Sequence, residues 1–164
     1  MASEVTSFSW VRKIQREPVV FPSIGSGTKK FVEHMVLTGT MVGTIDANDN
    51  LTEVSAQFDL SDRGVIISAQ IHFEGWGLVG DPMCQSFHGN IYLDGCSFFE
   101  YMESCYRDPV VGQGHYYAKS LLHPYLRVPF DDDSYVNMRL SSDNKQAAAV
   151  NVTCTVIIHM LKED

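Results

Sequence analysis

From residue 31 onward, apolar and polar side chains alternate with a period of two, which puts them on opposite faces of β-strands. The clearest stretch sets Val54, Ala56, Phe58 and Leu60 against Glu53, Ser55, Gln57 and Asp59. Ser61-Asp62-Arg63-Gly64 reads as a tight turn, after which Val65, Ile67, Ala69, Ile71 and Phe73 alternate with Ile66, Ser68, Gln70, His72 and Glu74. These two runs are expected to pair as a β-hairpin. Further strands are expected over 31–45, 86–94, 114–121, 125–130, 134–140 and 147–161, making eight in all. The last has Val150, Val152, Cys154, Val156, Ile158 and Met160 on one face. Asp46-Ala47-Asn48-Asp49-Asn50 and Ser141-Ser142-Asp143-Asn144-Lys145 are the Asn/Asp/Ser clusters that form loops between such runs.

Two segments depart from the alternation. Ser97-Phe98-Phe99-Glu100 fits a capping box, and Phe98, Phe99, Met102 and Tyr106 share a helical face, so a short crossover helix is expected over 97–106, stopped by Asp108-Pro109. Residues 1–30 hold Pro18, Pro22, Gly25 and Gly27 and scatter Phe8, Trp10, Val11, Ile14 and Phe21 among polar residues, which reads as an extended arm. An arm of this composition is expected to pack against its own body or a neighbour. The expected fold is all-β: an arm over 1–30, then an antiparallel two-sheet β-sandwich over 31–164, best described as an eight-stranded jelly roll.

Composition fits a single core. The chain has 164 residues, 45% hydrophobic and 20% charged, within the roughly 100 to 200 residues that one core usually serves. No apolar run approaches the roughly 18 residues of a membrane-spanning helix. The first residues lack the basic and apolar regions of a secretory signal, so a reducing compartment is expected. Cys84, Cys96, Cys105 and Cys154, spaced by 12, 9 and 49, match neither a zinc motif nor a dense disulfide framework. They read as small core hydrophobes, and the sequon Asn151-Val152-Thr153 is expected to carry no glycan.

Charge is uneven. Residues 1–30 carry five basic side chains against two acidic ones, a net +3, and the total of -8 leaves -11 on residues 31–164. An acidic body repels nucleic-acid phosphates, so direct nucleic-acid binding is not expected.

Motifs for chemistry are sparse. Gly25-Ser26-Gly27-Thr28-Lys29-Lys30 fails the spacing of a phosphate-binding loop, and no G-x-S-x-G occurs. The six histidines never fall at metal-chelating spacings, and Asp46, Asn48 and Asn50 start a calcium-like loop that lacks its glycine and its closing Glu. Asp131, Asp132 and Asp133 are the weak metal candidates, set against the simpler reading of a solvated turn. Glu100 and Glu103 are the paired carboxylates nearest an acid/base arrangement. No cofactor and no catalytic residue is expected. Trp76 between Gly75 and Gly77, adjacent Tyr116 and Tyr117, and Tyr125 after Pro124 are the candidate ligand or interface aromatics.

A basic, partly apolar arm, eight strand-like segments, one short crossover helix and a long final strand together resemble viral single jelly-roll capsid and decoration proteins. The resemblance spans most of the chain and is architectural. It implies a non-enzymatic structural subunit found in the virion, made in the host cytoplasm, that assembles with itself and with other capsid proteins. The +3 arm would be drawn to the -11 body of a neighbour. Phe8, Trp10, Arg12, Lys13, Ile14 and Arg16 are the expected assembly contacts. Deleting residues 1–17 is expected to leave a folded body that assembles poorly. The acidic body suits a cement or vertex role better than genome packaging. The alternative is a carbohydrate-binding sandwich built around Trp76, Tyr116 and Tyr117.

Overall fold

The computed structural model describes residues 3–17, 32–46, 49–77, 83–107, 115–144 and 150–163. Ten strands form: β1 (Glu4–Glu17), β2 (Val32–Ile45), β3 (Asn50–Asp59), β4 (Gly64–Gly77), β5 (Met83–Leu93), β6 (Cys96–Arg107), β7 (His115–His123), β8 (Val128–Phe130), β9 (Tyr135–Asn144) and β10 (Val150–Glu163). One sheet runs β1-β2-β10-β4-β7, with β8 also paired to β4, and the other runs β3-β9-β5-β6.

The pairings define the topology. β2 lies against β10, β3 against β9, β4 against β7 and β5 against β6, all antiparallel. The chain is thus one antiparallel ribbon, outgoing through β2, β3, β4 and β5 and returning through β6, β7, β9 and β10. It is rolled so that successive ribbon segments fall in opposite sheets, which is the eight-stranded jelly roll. Asp94 (φ 50°) and Gly95 (φ 79°) turn the ribbon at its tip. Two consecutive positive φ angles make the two-residue hairpin turn that matches strand twist, and glycine takes the second position without a Cβ penalty. Asp94 also accepts hydrogen bonds from the Tyr135 amide (2.8 Å) and Ser134 Oγ (2.9 Å), tying the tip to β9.

The inward residues of the two sheets form one core. Met35, Leu37 and Met41 on β2, Ile71 and Phe73 on β4, and Ile158 on β10 meet Phe87 and Ile91 on β5 and Met138 and Leu140 on β9. Phe73 stacks on Phe87 at 5.0 Å between centroids and on Tyr101 at 5.6 Å. Gly89 makes room for this, since a Cβ there would lie 2.7 Å from Phe73 Cζ.

Three expectations are corrected. The run 54–60 does not form a hairpin with 65–73: β3 pairs with β9 and β4 with β10, in opposite sheets. Alternation records only which side faces inward, and two strands facing each other across a core alternate just as two paired strands do. Segment 97–106 is strand β6 rather than a helix. Phe99 and Tyr101 point inward while Glu100 and Met102 point out, and aromatic residues favour this pleated setting. Within the span 125–130 only Val128–Phe130 is strand. Residues 4–17 of the expected arm form β1, and 18–31 lie outside the described residues.

Candidate protein-contact surface

β1 owes its place to an alternation that the sequence shows only weakly. Trp10 turns inward and lies flat over Gly39 on β2, where a Cβ would be 2.5 Å from its Cζ3. A strand glycine covered by a cross-strand aromatic is a favourable pair, because the ring occupies the space a side chain would fill. Phe8 meets Trp10 edge-on at 5.6 Å, and Phe58 on β3 closes the cluster at 5.9 Å. This cluster seals the side of the sandwich where β1 overhangs β3. The Trp10 indole Nε1 is buried without a hydrogen-bond partner, a cost of about 1–3 kcal/mol that the aromatic packing must offset.

Polar contacts hold the strand at its start and past its middle. Ser3 Oγ donates to Asp49 Oδ2 at 2.6 Å and accepts from the Asp46 amide at 3.0 Å, holding the chain start against the β2–β3 connection. Arg12 lies 4.0 Å from Asp62, which also takes Lys162 at 2.9 Å, and Lys162 reaches Glu33 at 3.6 Å. The Asp62 hydrogen bond is the main reason the Lys162 pKa is raised. Removing residues 1–17 would thus strip a packed strand, so point changes probe this surface better than deletion.

The other side of β1 is open. Among the described residues β1 pairs only with β2, and its exposed large hydrophobics are Phe8 (39%), Val11 (61%) and Ile14 (41%). Of the expected arm contacts, Trp10 is an anchor to the body, Arg12 touches Asp62, and Phe8, Lys13 and Ile14 are exposed. The Arg16 position pairs with Glu33 in the backbone register.

The remaining candidates are scattered. Trp76 and Tyr116 stand directly opposite in the β4–β7 register, and Tyr117 opposes Gly75. Tyr125 lies far away in the β7–β8 connection and is 87% exposed. Asp131, Asp132 and Asp133 form the β8–β9 turn. Asp131 Oδ1 accepts from the Asp133 amide and from Ser134 Oγ, and Asp132 binds Arg63 Nε and Nη2, both at 3.1 Å. The Arg63 hydrogen bond lowers the Asp132 pKa. These contacts hold the β8–β9 turn together. Glu100 has no capping role; its Oε1 lies 2.6 Å from His88 Nε2 on an exposed sheet face. Cys154 fits the core, where burial pushes its thiol up to about 12, whereas Cys96 is exposed beside the ribbon tip.

Three features had no sequence signal. His34 and His159 stack at 5.2 Å with Nε2 and Nδ1 3.0 Å apart, although 125 residues separate them. Arg139 lies over the Tyr92 ring at 4.2 Å. Leu121 and Leu122 are exposed on β7, at the opposite edge of the sheet from β1. Cross-strand register brings each about, and alternation within one strand does not encode it.

No protein-family model matches the sequence, and no curated protein matches it. Among solved structures, one of infectious bursal disease virus, Gx strain, is 13% identical with a TM-score of 0.35, covering 90% of this chain and 42% of that one. The carbohydrate-binding module TmCBM61, in complex with beta-1,4-galactotriose, is 8% identical with a TM-score of 0.32, covering 92% and 88%. The arabinose-bound α-L-arabinofuranosidase MgGH51 is 8% identical with a TM-score of 0.36; this chain spans 23% of its length. Likeness at this level carries no functional argument. No helix among the described residues is long and apolar enough to cross a membrane.

Proposed function

We propose that the chain is a non-catalytic assembly subunit, a single jelly roll that serves as a capsid or capsid-decoration (cement or vertex) component of a virion. The observation that carries this reading is the open edge of β1. It is 14 residues long, unpaired on one side among the described residues, and lined by exposed Phe8, Val11 and Ile14. Proteins usually shorten, charge or cover such an edge, because it is a template for pairing with another chain. Exposed apolar side chains along it favour a contact that is filled in the assembled state. Repetition over many copies strengthens even a modest contact. Other shell proteins are the expected partners beyond the chain itself. The test is light scattering with electron microscopy of the full-length chain. A defined oligomer or shell-like particle is expected, and a monomer at every concentration tried would count against the reading.

A second reading, carbohydrate binding, is favoured by the backbone register, which sets the Trp76 and Tyr116 positions opposite each other on β4 and β7. Stacking of exposed rings on sugar faces is its physical basis. A saturable tryptophan fluorescence change with one glycan of a panel, lost in Trp76→Phe, is the outcome it requires.

A further inference from the structure

The six histidines of the sequence fall at no chelating spacing, yet the register of the first sheet brings two of them together. His34 stands near the start of β2 and His159 near the end of β10, both half-buried on the outer face, while Met35 and Met160 beside them point into the core. The register sets His34 opposite Leu161 and His159 opposite Val36, so the two rings meet on the diagonal between neighbouring pairs. Nε2 of His34 and Nδ1 of His159 are 3.0 Å apart, with the ring planes 19° apart. Only one proton fits between two such nitrogens, so one of them presents a lone pair to the other. His72 and His88 differ, because each has its Nε2 on a carboxylate, Glu74 at 2.9 Å and Glu100 at 2.6 Å. Burial and the neighbouring His34 hold the His159 pKa below its ordinary value, which keeps that ring neutral and able to ligate at neutral pH.

Two convergent imidazole nitrogens are a chelating pair, and their separation selects the geometry. With metal–nitrogen bonds of about 2.0–2.1 Å, nitrogens 3.0 Å apart subtend about 90° at an ion, whereas a tetrahedral site needs about 3.4 Å between them. A right angle is the cis arrangement of square-planar or octahedral coordination, which suits Ni(II) and Cu(II) on nitrogen ligands. We propose that His34 and His159 form a surface chelate for a divalent transition-metal ion of the nickel or copper kind, which takes the place of the shared proton and keeps water in its other positions. Each ring turns within its broad χ2 well to aim its nitrogen at the ion. Lys13 stands in the row of His159 beyond Val36 and repels a cation, which sets the affinity toward the modest end. β2 and β10 pair the two ends of the ribbon, so the ion clips its open end, opposite the turn at Asp94 and Gly95. This site stands independently of the assembly reading.

The test titrates the full-length, untagged chain with nickel(II) chloride in a non-coordinating buffer and follows its thermal melt. A saturable rise in melting temperature is expected with Ni(II) and none with Mg(II), because a ligand that binds the folded chain stabilises it and Mg(II) prefers oxygen ligands. His34→Gln and His159→Gln each abolish the rise. His72→Gln, His88→Gln and Cys96→Ser each keep it, which separates this pair from the two carboxylate-bound histidines and from the exposed thiol. Proton–nitrogen correlation spectra of the imidazoles in the parent chain give a second reading that needs no variant: Cu(II) added well below one equivalent broadens His34 and His159 first. Three results overturn the chelate: no rise with Ni(II) in the parent chain, a rise that survives either His34→Gln or His159→Gln or is lost in one of the three controls, and broadening that begins at another histidine.

Discussion

Ile158 and Ile14 occupy inward positions of the same sheet, yet one is fully buried and the other is 41% exposed. Ile158 sits on the central strand β10 and faces the second sheet squarely. Ile14 sits on β1, beyond the edge of the facing sheet, whose outermost strand β3 reaches across only as far as the Phe58–Trp10 contact. The same alternation thus makes a core where another layer lies opposite and a contact surface where none does. Burial follows from position within two layers, not from the pattern in one strand.

If that distinction holds, the largest loss of stability comes from the centre. Phe73→Ala removes the ring stacked on both Phe87 and Tyr101 and leaves a void over Gly89, a cost of about 3–5 kcal/mol. Equilibrium urea denaturation should show it as a lower midpoint with the slope unchanged. Trp10→Ala strikes the boundary between the two regions. It uncovers Gly39 and loses contacts to Phe8 and Phe58, but part of the ring already meets solvent, so about 2 kcal/mol is expected by the same measurement.

A smaller effect should appear on the outer face of the sheet, where His34 and His159 meet. Burial first and the neighbouring His34 second hold the His159 pKa below its ordinary value of 6.5. Val36 flanks His159 on β2 and Ser68 on β4, and Lys13 on β1 extends the row, so among the described residues of that row no carboxylate stands beside it to favour the cation. The unfolded chain therefore takes up this proton first as pH falls. The stabilisation is complete above about pH 6.5 and is lost as pH drops through the lower folded value. Melting temperatures at about pH 5 and pH 7.5 should differ less in His159→Gln than in the parent chain. An unchanged difference would remove the pair from the acid response.

The course of these segments explains how far the sequence could lead. Inward and outward faces were legible in β3, β4 and β10 because a half-buried strand must alternate. The partners of those strands were not, since Ala56 and Ile71 read alike whether their strands pair or face each other. The turn at Asp94-Gly95 carried a local hairpin signal, but the aromatic spacing of Phe98, Phe99 and Met102 pointed to a helix and masked it. In β1, Trp10 and Phe8 were recognised as contacts, but Gly39, which Trp10 covers, lies 29 positions from it. The opposite edge, with Leu121 and Leu122, had no local signal at all, because its relation to β1 exists only through three intervening strands.

The smallest stability effect belongs to the open edge, and it is the sharpest test of the comparison. Val11 points away from the core on a strand whose far side is unpaired, and it is 61% exposed. Lysine at an exposed edge position keeps the strand and is a common natural device against pairing. Val11→Lys should therefore change stability by no more than about 0.5 kcal/mol, the usual range for surface substitutions. Thermal melts of parent and variant at a dilution where both are monomeric should coincide. If the variant instead melts several degrees lower, Val11 belongs to the fold's own packing, and the division between a core that holds the molecule together and an edge that meets a neighbour fails at its clearest residue.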